Sequence, residues 1–168
     1  FVFKFFFFIK INFKIPTLFK AFRLPPTNTS CAAYFNGLVN TNLKKKKMLM
    51  NSIGRTLKDV DSLFVTHEHT DHCQGVGVLA RRYGMNVYAN EGTWDAMSKK
   101  VGKIPLDQKH VFKCGSVLSL DDLDIESFGV SHDASEPQFY ELHHHDSSFA
   151  IVTDTSVCAP LKPVPVPV

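Results

Sequence analysis

The chain has 168 residues, 44% of them hydrophobic, which is enough for one domain with a buried core. The net charge of +3 hides an asymmetry, since residues 1–50 hold nine Lys and Arg and no acid, whereas residues 51–168 hold ten and all sixteen acids. The overall basic character therefore does not argue for nucleic-acid binding. The four cysteines contain no CxxC pair, which excludes a disulfide scaffold and predicts a reducing, cytoplasmic setting.

Residues 1–50 form an atypical segment rich in Phe and Lys. Nine of the first 22 residues are Phe, but lysines interrupt the apolar run well before the roughly 18 residues that predict a membrane-spanning helix. An amphipathic segment at a membrane surface is one interpretation. We favour a segment that is not native to the domain, because Phe, Lys, Ile and Asn share A/T-rich codons. A linker at Leu24–Ser30 and a helix at Leu43–Ile53, ended by Gly54, follow.

Helices and strands then alternate, before strands follow one another directly. The expected helices are Cys73–Tyr83, stopped by Gly84, and Gly92–Lys100. The expected strands are Ser62–Thr66, Asn86–Ala89, Val117–Leu120, Leu123–Val130, Gln138–Leu142 and Ser148–Thr153, the last two joined by a turn at His143–Ser147. This order predicts a mixed α/β layered domain over residues 51–156. A Pro/Val-rich extended tail at 157–168 follows it.

The strongest chemical signal is the hexapeptide from His67 to His72, directly after an apolar strand. Three histidines and an aspartate so close together are costly to bury unless something pairs them. His67 and His69 share a face of an extended turn, whereas Asp71 and His72 turn toward a second point as a helix begins. The loop predicts two adjacent ligand clusters, suited to Zn, Mn or Fe. A solvated His-rich turn is the alternative.

A His-x-His-x-Asp-His loop after a strand is the signature of the metallo-β-lactamase superfamily, which the chain resembles over about residues 50–156. Four further segments resemble the YycJ/WalJ-type branch, namely Ser52–Thr66, Gly75–Tyr83, Val87–Trp94 and Val130–Ala134. The resemblance implies an α/β fold, the metallo-β-lactamase-like αββα sandwich. We expect an incomplete, truncated version, because the match dissolves into the Pro/Val tail and the C-terminal half of the fold is absent from the sequence.

The resemblance also implies a dinuclear centre built from the two ends of the domain. Its implied metal ligands are His67, His69, Asp71, His72, His132 and Asp154. The three histidines His67, His69 and His132 hold one ion, Asp71 and His72 hold the other, and Asp154 bridges them. Judged from the residues alone, His132 is either such a ligand or a hydrogen-bonded loop histidine. Asp154 is either a ligand or a turn residue.

Two divalent ions, Zn or Mn, are the implied cofactors. They lower the pKa of a shared water so that hydroxide attacks near neutral pH, and they stabilise the negative charge that develops. Asp71 is the predicted catalytic residue, which orients or deprotonates that water. The branch implies exonuclease-like cleavage of phosphodiesters in DNA by a protein without a transmembrane span. The alternatives are hydrolysis of a thioester, lactone or β-lactam, and a truncated fragment that binds one metal or none, since no histidine follows His145 to match the family's last ligand.

Other conspicuous residues receive ordinary roles. The tract His143–His145 is interpreted as a solvated hairpin turn rather than a metal site. Trp94 is expected in the core rather than stacked on a base. Glu68 and Asp133 are candidates for hydrogen bonds to the ligands, with an exposed turn residue as the alternative for Glu68.

Overall fold

The computed structural model describes residues 7–9, 43–52, 56–151 and 154. Within these residues the strands are β1 (Phe7–Ile9), β2 (Ser62–Phe64), β3 (Asn86–Ala89), β4 (Lys109–Val111), β5 (Val117–Leu120), β6 (Leu123–Gly129), β7 (Gln138–His144) and β8 (Ser147–Ile151). The α-helices are α1 (Leu43–Ser52), α2 (Thr70–Cys73), α3 (Val76–Tyr83) and α4 (Glu91–Val101), with short 3-10 helices at Leu57–Asp59 and Leu106–Gln108. No helix in the described ranges is long and apolar enough to cross a bilayer.

The strands form two sheets of different character. Sheet A has the order β1-β2-β3-β4, with β2, β3 and β4 parallel and β1 antiparallel to β2. Sheet B is an antiparallel meander in the order β5-β6-β7-β8. The parallel pairs need long crossovers, which the helices supply, whereas tight turns connect β5 to β6 and β7 to β8.

Sheet A lies between the helices and sheet B. Because side chains alternate along a strand, Leu63 and Val87 face the helices and join the core around Leu79, Trp94 and Met97. On the other face, Phe64 joins a second core, which it shares with Phe112 directly after β4 and with Leu123, Ile125, Tyr140 and Leu142 of sheet B. The described residues therefore form helix, sheet and sheet layers in that order, as the sequence predicted.

The predicted elements are largely confirmed, with shifts at their ends. Asn86–Ala89 forms as expected, and Gly84 ends α3 with φ 71, donating its amide to Ala80. The predicted helix Cys73–Tyr83 is broken, because 70–73 and 76–83 are separate helices around a turn. Strand β4 was not predicted, since Lys109–Val111 is only three residues long and contains one apolar residue.

One other expectation needs correction, and one segment contributes a strand that the sequence did not predict. The turn predicted at His143–Ser147 is shorter, because β7 continues through His144 and the turn occupies only 145–146. The Phe/Lys-rich segment contributes β1, whose backbone pairs with β2 in the register Phe7↔Phe64. The predicted linker at Leu24–Ser30, the helix stop at Gly54 and the tail at 157–168 lie outside the described residues.

Sheet B holds the end of β2 in place. The hydroxyl of Tyr140 donates to the carbonyl of Val65 at 2.6 Å and accepts from Nε2 of Gln138 at 2.7 Å. The backbone amide of Gln138 donates to the carbonyl of Thr66 at 3.0 Å. Burial raises the pKa of Tyr140, so the phenol stays a neutral donor. These bonds fix the chain at the point where it enters the histidine loop.

Tyr140→Phe should lower the free energy of unfolding by about 1–3 kcal/mol, because it leaves the buried Val65 carbonyl without its donor and removes the shorter of the two hydrogen bonds that Gln138 Nε2 donates. Tyr83→Phe is the matched control, since the buried Tyr83 hydroxyl has no hydrogen-bond partner among the described residues, and it should change stability by less than about 0.5 kcal/mol. Urea unfolding of both variants measures the difference. Equal destabilisation would contradict the role assigned to Tyr140.

Candidate metal centre

The six predicted ligands come from three separate segments that meet at one end of the two sheets. The loop after β2 carries His67 and His69, helix α2 carries Asp71 and His72, the β6–β7 loop carries His132, and Asp154 follows β8. Nitrogen donors of His67, His69 and His132 all lie within 4.8 Å of one another. Donors of His67, His72 and Asp154 form a second such group, so His67 belongs to both.

Hydrogen bonds orient His69 and His132 so that their free nitrogens face each other. Nε2 of His69 donates to the carbonyl of Asp133 at 3.2 Å, and Nδ1 of His132 lies 3.1 Å from a carboxylate oxygen of the same Asp133. Both contacts need a ring N–H, so each neutral imidazole keeps its lone pair on the other nitrogen. Those nitrogens, His69 Nδ1 and His132 Nε2, stand 3.2 Å apart. Two facing lone pairs repel unless a cation or a proton lies between them.

The second group surrounds the carboxylate of Asp154. Its Oδ2 is 2.9 Å from Nε2 of His72 and 3.7 Å from Nε2 of His67. The hydroxyl of Thr66 lies 3.0 Å from Nδ1 of His67 and 3.5 Å from Nδ1 of His72, on the outer side of both rings. Asp71 reaches this group only at its edge, with Oδ2 3.8 Å from Nε2 of His72. Asp154 has φ 46, a backbone conformation that aspartate tolerates better than most residues.

The spacing of these donors suits divalent metal ions. Zinc bonds of 2.0–2.2 Å in tetrahedral geometry place neighbouring ligand atoms about 3.3–3.6 Å apart. The observed separations of 3.2, 2.9 and 3.7 Å bracket that spacing. Moreover, His67 Nε2 and Asp154 Oδ1 are buried and have no hydrogen-bond partner among the described residues. Buried polar atoms of this kind normally have a partner, and a metal ion supplies one.

Burial keeps His67 neutral, which is the form of histidine that binds metal. His67 is only 1% exposed. Burial, reinforced by the neighbouring imidazoles of His72, His69 and His132, lowers its pKa from 6.5 to about 3.

Residues between the ligands tie the contributing loops together. Oε1 of Glu68 accepts hydrogen bonds from the amide and the hydroxyl of Ser135 at 2.8 and 3.0 Å, which joins the His67–His72 loop to the His132 loop. Burial favours the neutral carboxyl, but bonds from the backbone amides of Glu68 and Ser135 and from the Ser135 hydroxyl hold the pKa of Glu68 below its usual value. The exposed-turn alternative for Glu68 is therefore wrong, since only 9% of this side chain is accessible.

Sequence reasoning missed Thr66 and Ser135 and was right about Trp94. The available signal for Thr66 was its position directly before the first histidine, two residues after the end of β2. Ser135 carried no local signal, because its partner Glu68 lies 67 positions away. Trp94 is buried in the core as expected, and its Nε1 donates to the carbonyl of His110 at 2.9 Å.

Known proteins resemble this chain over its central part. A family model for the metallo-beta-lactamase superfamily matches residues 37–156. The exodeoxyribonuclease WalJ of Streptococcus pneumoniae is 53% identical over 122 residues, which make up 70% of this chain and 45% of that protein. The exodeoxyribonuclease YycJ of Bacillus anthracis is 48% identical over 120 residues, or 70% of this chain and 46% of that protein. The chain thus spans about half the length of the curated relatives it matches.

Solved structures resemble the fold at much lower identity. The Rm3 metallo-beta-lactamase has a TM-score of 0.55 and 19% identity, with 70% of this chain and 50% of that chain covered. The MIM-2 metallo-beta-lactamase has a TM-score of 0.54 and 16% identity, with 67% and 49% covered. Similarity at such identities concerns the fold alone. It confirms the sandwich expected from the sequence, and it covers only part of each solved structure.

The depressed pKa of His67 predicts a pH dependence for the metal-free protein. The unfolded chain binds this proton more readily than the folded one, so the stability contributed by neutral His67 is complete above pH 6.5 and is lost as the pH falls from 6.5 toward 3. The slope from this one group is at most about 1.4 kcal/mol per pH unit.

Urea unfolding in the presence of a chelator, between about pH 7 and pH 5, measures this slope. His67→Gln removes the titrating group and should give a shallower dependence than the wild-type chain. Identical slopes for the two proteins would contradict the assignment.

Proposed function

We propose that this chain, which belongs to the YycJ/WalJ-type branch of the metallo-β-lactamase superfamily, carries the dinuclear metal centre of a hydrolase. This hydrolase cleaves phosphodiesters in DNA as an exonuclease. The supporting observation is the convergence of donor atoms from the His67–His72 loop, His132 and Asp154. Nδ1 of His69 and Nε2 of His132 lie 3.2 Å apart, and Nε2 of His72 lies 2.9 Å from Oδ2 of Asp154, so these donor atoms face one another at ligand spacing.

In this proposal His67, His69 and His132 would hold one ion, Asp71 and His72 would hold the second, and Asp154 would contribute to both. When bound, the ions act as Lewis acids that polarise the scissile phosphate, activate water and stabilise developing negative charge. The protein contributes rigidity. Asp133 and Thr66 hold the outer nitrogens of the imidazoles, so the rings need not reorient when a ligand arrives.

Asp71 is the proposed proton acceptor for the attacking water. Its side chain is 27% exposed, whereas His72 beside it is buried. Among the carboxylates of the centre, Asp71 is therefore more accessible to water than Asp154, whose side chain is 11% exposed. A carboxylate at the rim of the centre can both orient a water molecule and take up its proton.

DNA is the proposed substrate because both curated relatives quoted above are named exodeoxyribonucleases. The β-lactamase structures share the fold at under 20% identity, and fold alone does not determine a substrate. The relatives extend well beyond the matched region. The proposed exonuclease activity therefore applies to a complete protein that contains the matched region.

The nuclease proposal is tested with end-labelled linear DNA in the presence of Mn²⁺ or Zn²⁺. We expect metal-dependent shortening from one end, abolished by chelation, and lowered by at least about 100-fold in His69→Ala, because loss of a ligand is more damaging than loss of an outer hydrogen-bond partner. His110→Ala is the matched control, since His110 bonds Asn86 away from the centre. Turnover of a chromogenic β-lactam, lactone or thioester without cleavage of DNA would contradict the proposed substrate.

The metal content of the purified protein tests the ligand assignment separately from activity. His132→Ala should lower the bound metal by one equivalent relative to the wild-type chain, because two of three histidine donors cannot retain the ion through dialysis as three do. His110→Ala should retain the wild-type content. An unchanged content in His132→Ala would contradict the assignment, and well under two equivalents in the wild type would favour a fragment that binds one metal or none.

A further inference from the structure

A second group of metal-ligating side chains lies where two hairpin turns of sheet B come together. Asp122 belongs to the turn between β5 and β6, His144 ends β7, and His145 begins the turn into β8. One donor atom from each of these three residues lies within 4.8 Å of the others. The Nε2 of His144 is 3.1 Å from Oδ2 of Asp122, and the rings of His144 and His145 have centroids 4.2 Å apart.

The local backbone explains how neighbours in sequence come to share one point. Successive side chains of a strand point to opposite faces, so regular strand geometry would separate His144 from His145. His145 instead adopts φ 50, the left-handed conformation of a two-residue hairpin turn. This brings its ring beside that of His144. The register Asp124↔His143 then places the end of β7 against the Asp121–Asp122 turn.

This group is separate from the candidate metal centre. Strand β7 starts at Gln138, which bonds to Thr66 beside the centre, and ends at His144. Six extended residues at about 3.4 Å each put His144 about 20 Å from Gln138. The two sites share no residue, so a variant in one leaves the ligands of the other intact.

From this geometry we infer that Asp122, His144 and His145 bind one divalent transition-metal ion, with water completing its coordination. Two imidazoles and one carboxylate favour Zn²⁺, Ni²⁺ or Cu²⁺ over Mg²⁺ or Ca²⁺. The separation of 3.1 Å between His144 and Asp122 is close to the ligand spacing of a tetrahedral site. His144 is only 8% exposed and held in place, whereas Asp122 and His145 are accessible to an ion arriving from solvent.

The bound ion joins the two turns at this end of sheet B and stabilises the folded state. A ligand that binds only the folded protein raises the free energy of unfolding. Above the dissociation constant, this increase grows with the logarithm of the ligand concentration. The inference does not depend on the proposed nuclease activity. The sequence-based interpretation of His143–His145 as a solvated turn therefore holds for the exposed His145 but not for the buried His144.

The test compares three matched substitutions in the full chain, namely Asp122→Asn, His145→Asn and His143→Asn. Asparagine tolerates the left-handed conformation at position 145, so the fold is preserved, which circular dichroism in chelator verifies. His143 is the control because it belongs to the same tract but faces Glu126, with Nε2 3.8 Å from the carboxylate. Zinc is titrated in competition with a chromogenic chelator, and thermal unfolding is followed with and without zinc.

We expect Asp122→Asn and His145→Asn each to lose one equivalent of zinc, or to bind it at least about tenfold more weakly, and to lose part of the zinc-dependent rise in unfolding temperature. His143→Asn should match the wild-type chain in both measurements. Because the result is a difference between variants, it does not depend on how many ions the candidate metal centre holds. Equal zinc binding by all four proteins would overturn the inference and leave a simple ion pair between His144 and Asp122.

Discussion

The attachment of sheet B to the end of strand β2 is the constraint on which the rest of the structure depends. Tyr140 and Gln138 bond to the carbonyls of Val65 and Thr66, the two residues directly before His67. A loop that left β2 without these bonds could rotate about its backbone and point its imidazoles in many directions. With them, the histidines leave the sheet in one orientation, toward the space that the β6–β7 loop also lines.

That orientation brings electron-rich ring nitrogens close together, and their repulsion is unfavourable for the folded state. His67 is held neutral by burial, and the free nitrogens of His69 and His132 face each other. Such an arrangement destabilises the protein unless a cation binds there. The repulsion between these donors and their suitability for a metal ion have the same origin, since donors fixed in advance need little reorganisation when an ion binds.

Hydrogen bonds outside the centre connect the loops that carry its residues. Glu68 bonds to Ser135, and the carbonyl of Glu68 accepts from Nζ of Lys100 at 2.8 Å, which connects the histidine loop to helix α4. Glu136 accepts the backbone amide of Gly92 at 2.9 Å, so the segment that follows His132 is anchored to the start of the same helix. One helix therefore braces both loops, and the distance between their histidines follows from its position.

The sequence by itself determined the local features of this protein. The order of strands and helices other than β1 and β4, the stop at Gly84, the core position of Trp94 and the ligand-rich loop of His67–His72 could be predicted, because periodicity and turn chemistry act over a few neighbouring residues. Resemblance to a known family, rather than any local pattern, singled out His132 and Asp154. Only the tertiary structure placed Asp154 2.9 Å from His72, buried Glu68 against Ser135 and brought His144 beside Asp122. Those distances depend on how two sheets pack and in which register their strands pair, which no short stretch of sequence specifies.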